Sequence, residues 1–168
     1  MKKVFLTLVL MLTTMLASAQ FYVGGGIGYC KTEISNVEAS EFTFTPEMGY
    51  VINDNWSIGA VLDIDWVKDT STTIAVSPYA RYTFLRAGNF SFFADGVLQL
   101  GSIDPKDGES QTYWGIGVKP GIDYSLTKNF SITAHIGWLG NHDYKDYGET
   151  TAITINGNDL SFSLSYNF

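Results

Sequence analysis

Gly24-Gly25-Gly26-Ile27-Gly28 has the glycine density of a phosphate-cradling loop, but no Lys-Ser or Lys-Thr pair follows it and no helix signal begins there. It reads instead as strand glycine in a crowded wall. Asp104, Asp107 and Glu109 surround Gly108 with carboxylates, yet the ligand spacing of an EF-hand calcium loop is not met, and a solvated acidic loop is expected. His142, Asp143, Asp146 and Glu149 gather imidazole and carboxylates in the longest loop, the raw material of a metal site or an acid–base dyad. The chain holds two histidines, however, and with His135 on a strand and His142 in a loop they are not expected to share a site. No Ser, His and acid fall on neighbouring strands in a way that nominates a lipid hydrolase or acyltransferase. No catalytic site, metal or cofactor is therefore expected. Cys30 is the single cysteine, which rules out an intramolecular disulfide and reads as a small wall residue.

The remaining charges have to be placed by the elements that carry them. Turn-rich, hydrophilic stretches at 31–41, 67–72, 102–111 and 140–158 separate paired runs of period-two alternation, and each pair reads as a hairpin. The predicted strands are 21–30, 42–52, 56–66, 73–86, 90–101, 112–126, 130–139 and 159–168. Between the arms of three hairpins the sequence repeats an Asn-aromatic-Ser pattern: Asn55-Trp56-Ser57, Asn89-Phe90-Ser91 and Asn129-Phe130-Ser131. Three-residue loops closed by Ile52 with Trp56, Arg86 with Phe90 and Leu126 with Phe130 would place each Asn where a left-handed conformation is needed. Long connections on one side, short ones on the other and an even strand number are the layout of an outer-membrane barrel. The fold class is thus an all-β, eight-stranded antiparallel up-and-down transmembrane barrel, an interior just wide enough for side chains to fill.

One face of every strand is apolar and free of charge, running through residues such as Trp56, Leu62, Trp66, Phe90, Leu98, Trp114, Ile132 and Trp138. The opposite face carries mostly Gly, Ser and Thr together with Glu47, Asp63, Asp65, Arg81, Asp95, Lys119, Asp123 and His135. A soluble lipocalin-like barrel would also alternate, with the apolar face inward. The apolar set is too bulky for that lumen, its aromatics gather at both strand ends as two girdles, and the strand charges sit opposite the apolar band; the apolar face therefore points to lipid. Counting outward from the predicted turn sets Arg81 opposite Asp95 as an ion pair, with Glu47, Asp63, Lys119 and His135 in about the same middle layer. A plugged, poorly conducting lumen follows.

The N-terminus supplies the compartment. Lys2 and Lys3, the apolar run Val4 to Leu16 and Ala17-Ser18-Ala19 form a secretory signal, with cleavage expected between Ala19 and Gln20. That run is short of the roughly 20 residues a spanning helix needs. Residues 1–19 are thus the expected signal peptide and 20–168 one barrel domain, since about 150 residues suit one domain. A net charge of −7 argues against a sequence-independent grip on nucleic-acid phosphates.

Phe21-Tyr22-Val23-Gly24-Gly25-Gly26-Ile27-Gly28, Lys119-Pro120-Gly121-Ile122-Asp123-Tyr124 and the terminal Leu164-Ser165-Tyr166-Asn167-Phe168 together resemble the small OmpA/OmpX-like outer-membrane β-barrel family, over the whole mature sequence. The Ala-Ser-Ala-Gln junction resembles that of Bacteroidetes-type members. The resemblance implies that Phe168, with Tyr166 and Leu164 on the same face, is read by the barrel-assembly machinery. It also implies contact with outer-membrane lipids and lipopolysaccharide, periplasmic N- and C-termini, extracellular long loops and a monomeric state. The chain ends at Phe168, so the peptidoglycan-binding domain of full-length OmpA relatives is not expected. The function expected is non-enzymatic presentation of four acidic loops for adhesion, host contact or envelope integrity, with a surface ligand meeting 31–41, 102–111 or 140–158. A narrow solute channel and a lipid-modifying enzyme are the alternatives.

Overall fold

A computed structural model describes residues 20–34, 37–144, 148–154 and 160–168. The signal region with Ala19, and Asp146, lie outside the described residues, as do the side chains of Cys30 and Glu149. The strands are β1 (Phe21–Ile34), β2 (Val37–Val51), β3 (Trp56–Val67), β4 (Ser71–Ala87), β5 (Phe90–Pro105), β6 (Gln111–Ser125), β7 (Phe130–Ile136), β8 (Trp138–Tyr144), β9 (Gly148–Thr154) and β10 (Leu160–Asn167). All neighbours are antiparallel, and pairing of β1 with β10 and of β5 with β6 closes the sheet into a barrel. β7 and β8 run in succession along β6, while β10 pairs with β7 and β9 with β8. The 10-stranded sheet therefore fills eight wall positions, the number predicted.

The long loops are shorter than expected. Strand continues through Ile34 and resumes at Val37, extends to Pro105 before Gln111, and occupies Trp138–Tyr144 and Gly148–Thr154 within the stretch expected as the longest loop. Polarity reports side-chain exposure, whereas the ladder is a backbone property that persists wherever both arms stay extended. The loop side is built from extended hairpins.

Two one-residue irregularities change which side chains face the lumen. Between Thr83 and Leu85 the β4–β5 register shifts, so Leu85 opposes Phe92, Arg86 opposes Ser91 and Ala87 opposes Phe90. Arg86, expected to close the turn opposite Phe90, instead opposes Ser91 and points inward. The turn is correspondingly Gly88-Asn89, with Gly88 at φ +62°, the sign pattern of a two-residue type II′ hairpin rather than the three-residue loop expected. The second break is Gly137, at φ +78° between β7 and β8. The register against β6 steps by one residue across it: Gly121 opposes His135, but Val118 opposes Leu139. Trp138, expected in the outer girdle, is buried inside, and His142, expected in a loop, follows it inward. Such a bulge inserts one residue, and with a period of two that reverses every later side chain.

The other two tight turns have the predicted length, since Ile52 N–H bonds Trp56 O and Leu126 N–H bonds Phe130 O. Their asparagines are not left-handed, because Asp69 is the single non-glycine residue at positive φ among those described. Asn53 Oδ1 and Thr127 Oγ1, at the first loop position, each accept two backbone N–H groups and hold the turn shut. Asn55 and Asn129 use their side-chain amides to reach the next strand, donating to the carbonyls of Thr83 and Asn167. Their own carbonyls accept from the N–H groups of the same two residues, which docks each turn on its neighbour.

The outer surface is apolar from end to end, with Trp56, Leu62, Trp66, Leu98, Trp114, Ile132 and Phe162 all exposed. Inside, Tyr22, Tyr79, Phe93 and Val97 are buried among polar residues. Room for the rings comes from glycines directly across the ladder. A Cβ on Gly49 would stand 2.1 Å from the Tyr22 ring, one on Gly59 2.5 Å from the Tyr79 hydroxyl, and one on Gly121 2.3 Å from Phe93. Each inward aromatic therefore lies flat over an unsubstituted backbone, an aromatic–glycine pairing that fills a narrow barrel without overpacking it.

Candidate functional site

The lumen network is anchored by Arg81, because β4 and β5 place it opposite Asp95 and both point inward. Its Nε and Nη2 donate to Asp95 Oδ1 and Oδ2 at 2.8 and 2.9 Å, a bidentate fork, and Nη2 also stands 3.5 Å from Glu47 Oε1. The guanidinium lies 4.0 Å from the centroid of the Phe93 ring, where the aromatic face offers a cation–π partner. His135 Nε2 bonds the other side of Asp95 Oδ2 at 2.9 Å, its ring edge-on to Phe93. Tyr79 donates to Glu47, and the Tyr22 and Tyr79 hydroxyls bond each other. Strands β1, β2, β4, β5 and β7 thus meet across the lumen in one hydrogen-bonded layer. Asp95 and Glu47 are buried, and two carboxylates around one guanidinium satisfy the pairing that burial demands.

Of the eight charged or imidazole residues the sequence places inside, four meet in this layer: Glu47, Arg81, Asp95 and His135. Asp63 is held apart by Ser77 Oγ at 2.7 Å and Asp123 by Thr133 Oγ1 at 2.7 Å, hydroxyls taking the place of cations. Lys119 faces Asp95 in the β5–β6 register, but its ammonium rests 5.4 Å from the Trp138 ring. Asp65 lies further toward the loop side, opposite Thr43 and Thr73, and does not enter the layer. Sequence reasoning missed the aromatic half of the site. Tyr22, Tyr79 and Phe93 have inward parity, and each faces a glycine on the adjacent strand, a signal readable once register is known.

The layer divides the lumen. A cavity of about 170 Å³ at the turn end is lined by Arg86, Asp123, Ser131 and Ser165, and one of about 260 Å³ on the loop side by Asp63, Lys119, Ser161 and Ser163; Glu47 and Arg81 line both. Above the second cavity Trp138 stacks on His142 with ring centroids 4.7 Å apart, and His142 Nε2 meets Gln99 Oε1 at 2.9 Å. The Asp95–His135 pair resembles half of a hydrolytic relay; of the hydroxyls around it, Ser77 bonds Asp63, Thr133 bonds Asp123, and Ser131 bonds Ser165 at 2.8 Å, while Ser163 Oγ is buried without a hydrogen-bond partner. Among the described residues no group of three or more His, Cys, Asp or Glu side chains could hold a metal ion.

A closed antiparallel barrel with apolar side chains outside and charges inside has one common setting, and the sequence comparison agrees: residues 4–168 match the outer membrane protein beta-barrel domain. The chain belongs to that family. It is an outer-membrane β-barrel, and the predicted resemblance and location in the outer membrane stand at that level. Among solved structures, Neisserial surface protein A (NspA) is similar in fold, with a TM-score of 0.64 and 19% identity over 90% of this chain and 98% of that one. Two others align less well: a de novo designed transmembrane β-barrel (TM-score 0.40, 12% identity, 89% of this chain and 96% of that one), and in-vitro folded OmpT, an outer membrane protein of Vibrio cholerae in trimer form (0.36, 14%, 89% and 52%). No curated protein matches the sequence.

Proposed function

We propose that this outer-membrane barrel is a non-enzymatic, plugged scaffold that presents its extended loop-side hairpins for adhesion, host contact or envelope integrity. The observation that carries this reading is the Arg81-centred layer, which joins five strands across the lumen and stands between its two cavities. A wall filled in this way is rigid and spends its interior on structure, leaving the loop side as the surface for recognition. That side is acidic, with Glu33, Glu38, Glu41, Asp69, Asp104, Asp107, Glu109 and Glu149 in or beside the loop-side hairpins. The partner is correspondingly a surface or host ligand meeting residues 31–41, 102–111 or 140–158. Residues 1–19 act as a signal cleaved before Gln20, both termini face the periplasm, the barrel is a monomer in contact with lipopolysaccharide, and Leu164, Tyr166 and Phe168 form the signal read by the assembly machinery.

Single-channel recording on the refolded protein tests the plug: small, intermittent conductance is expected, and large steady conductance would favour the channel alternative. A binding screen against host matrix proteins, on cells bearing the protein with and without residues 140–158, tests the surface role. Retained binding after that deletion would move the contact to another hairpin. Mass spectrometry of lipids incubated with the protein tests the enzyme alternative, and any turnover of lipopolysaccharide or phospholipid would overturn the non-enzymatic reading.

A further inference from the structure

The barrel wall is not equally closed all round. The β1–β10 ladder runs from Tyr22 opposite Asn167 to Gly25 opposite Leu164 and stops there, although β1 continues to Ile34 and β10 begins at Leu160. The glycines of β1 show that the two backbones stay close for one residue beyond the last ladder pair. A Cβ on Gly24 would stand 2.8 Å from Leu164 O and one on Gly26 2.8 Å from Phe162 O, whereas one on Gly28 would meet Thr43 of β2 at 3.3 Å and, among the described residues, no side chain of β10 within 4 Å. The three most exposed large apolar side chains among the described residues flank this seam: Ile27 at 77%, Tyr29 at 70% and Phe162 at 61%. Behind it lies the loop-side cavity of about 260 Å³, whose β10 wall is Ser161, Phe162 and Ser163. Ser163 Oγ is buried there with no hydrogen-bond partner. A buried hydroxyl left unmet costs free energy that a ligand hydroxyl would recover.

We propose that the wall opens laterally between β1 and β10 on the loop side, and that the cavity takes the uncharged, hydroxylated head of a single-chain amphiphile whose alkyl chain lies along Ile27, Tyr29 and Phe162. The head is uncharged because the cavity already holds charges of both signs: Arg81 is paired with Asp95 and Glu47, Asp63 is hydrogen-bonded by the Ser77 hydroxyl, and Lys119 adds a cation. An anionic head would face those carboxylates, and a cationic one would compete with Arg81 and Lys119. Hydroxyls of Thr43, Thr45, Ser161 and Ser163 line the seam side and match a glycerol or sugar head. The chain is single because the opening is bounded below by the closed ladder at Gly25 and Leu164. This goes beyond the surface-presentation reading and does not depend on it.

Equilibrium binding of radiolabelled 1-monooleoylglycerol to the refolded full chain in amphipol tests the assignment. Saturable, stoichiometric binding is expected in a Cys30→Ser background. Adding Gly28→Cys and Ser161→Cys and oxidising them draws the strands together and should weaken binding about tenfold or more, with recovery on reduction. Ser161→Trp, which fills the seam without a cross-link, should act in the same direction and decides the matter if the disulfide does not form, with circular dichroism confirming a folded barrel. No saturable binding to the parent protein, or binding untouched by both closures, would overturn the portal. Tighter binding of oleate or of a diacyl phospholipid would overturn the neutral, single-chain assignment.

Discussion

Arg81 shows how much one residue can organise. Its guanidinium is forked on Asp95, near Glu47 and over the Phe93 ring, so truncating it leaves two buried carboxylates without their cation. Arg81→Ala is expected to destabilise the barrel by about 3–5 kcal/mol, less if water enters, measured by urea unfolding in lipid vesicles. A neutral substitution would mean that the layer is already hydrated. The Arg81–Asp95 juxtaposition emerges from counting along the sequence only because two departures cancel: the turn is one residue shorter than expected, and the Thr83/Leu85 bulge restores the register. On the exposed loop side, the hydrogen bond from Lys106 to Asp69 Oδ1 at 2.6 Å, and then the Lys106 charge, hold the Asp69 carboxyl below its ordinary range. The contact ties two hairpins together above the ordinary aspartate pKa and is lost as pH falls through the depressed value. An NMR titration should show the Asp69 carboxyl moving back up in Lys106→Ala.

At the level of elements, the bulges decide the lumen's contents. Gly137 sits at φ +78° between β7 and β8, a conformation that a β-branched residue adopts only with strain. Gly137→Val should cost about 1–3 kcal/mol in urea unfolding and disturb the Trp138–His142 stack, visible as a shift in tryptophan fluorescence. An unchanged spectrum with full stability would show that the bulge tolerates an ordinary side chain. The strands themselves were legible because alternation over ten residues is a strong signal. Neither bulge was, since a single inserted residue leaves composition and periodicity on both sides intact. The sequence did carry one hint: Arg86 was the odd closing residue among apolar ones, and the structure turns it inward toward the Asp54 carbonyl.

For the whole molecule, the separation of an apolar exterior from a charged interior predicts asymmetric tolerance to substitution. Leu62 is outward in the middle of β3 and its neighbour Val61 lines the loop-side cavity. Leu62→Arg should destabilise by about 2–4 kcal/mol in a bilayer and Val61→Thr by far less, compared by unfolding in the same vesicles. The reverse order would invert the two faces. Deleting Phe168 should leave protein in the periplasm if the terminal aromatic is the assembly signal; undiminished outer-membrane levels on fractionation would remove that role. Proteolysis of intact cells should reach residues 106–110 and spare 53–55 and 127–129, and cleavage confined to the latter would reverse the orientation proposed.

The sequence by itself determined the number of wall positions, the side that meets lipid and the chemical character of the interior, because each follows from period-two patterning and from the cost of charge in hydrocarbon. It also marked Glu47, Arg81, Asp95 and His135 as inward. Only the tertiary structure decided that these four meet while Asp63, Asp123 and Lys119 find other partners, since side-chain reach across a lumen depends on strand stagger that no local pattern records. It alone turned Trp138 and His142 inward and ended the β1–β10 ladder at Gly25, because register and closure are properties of the whole sheet.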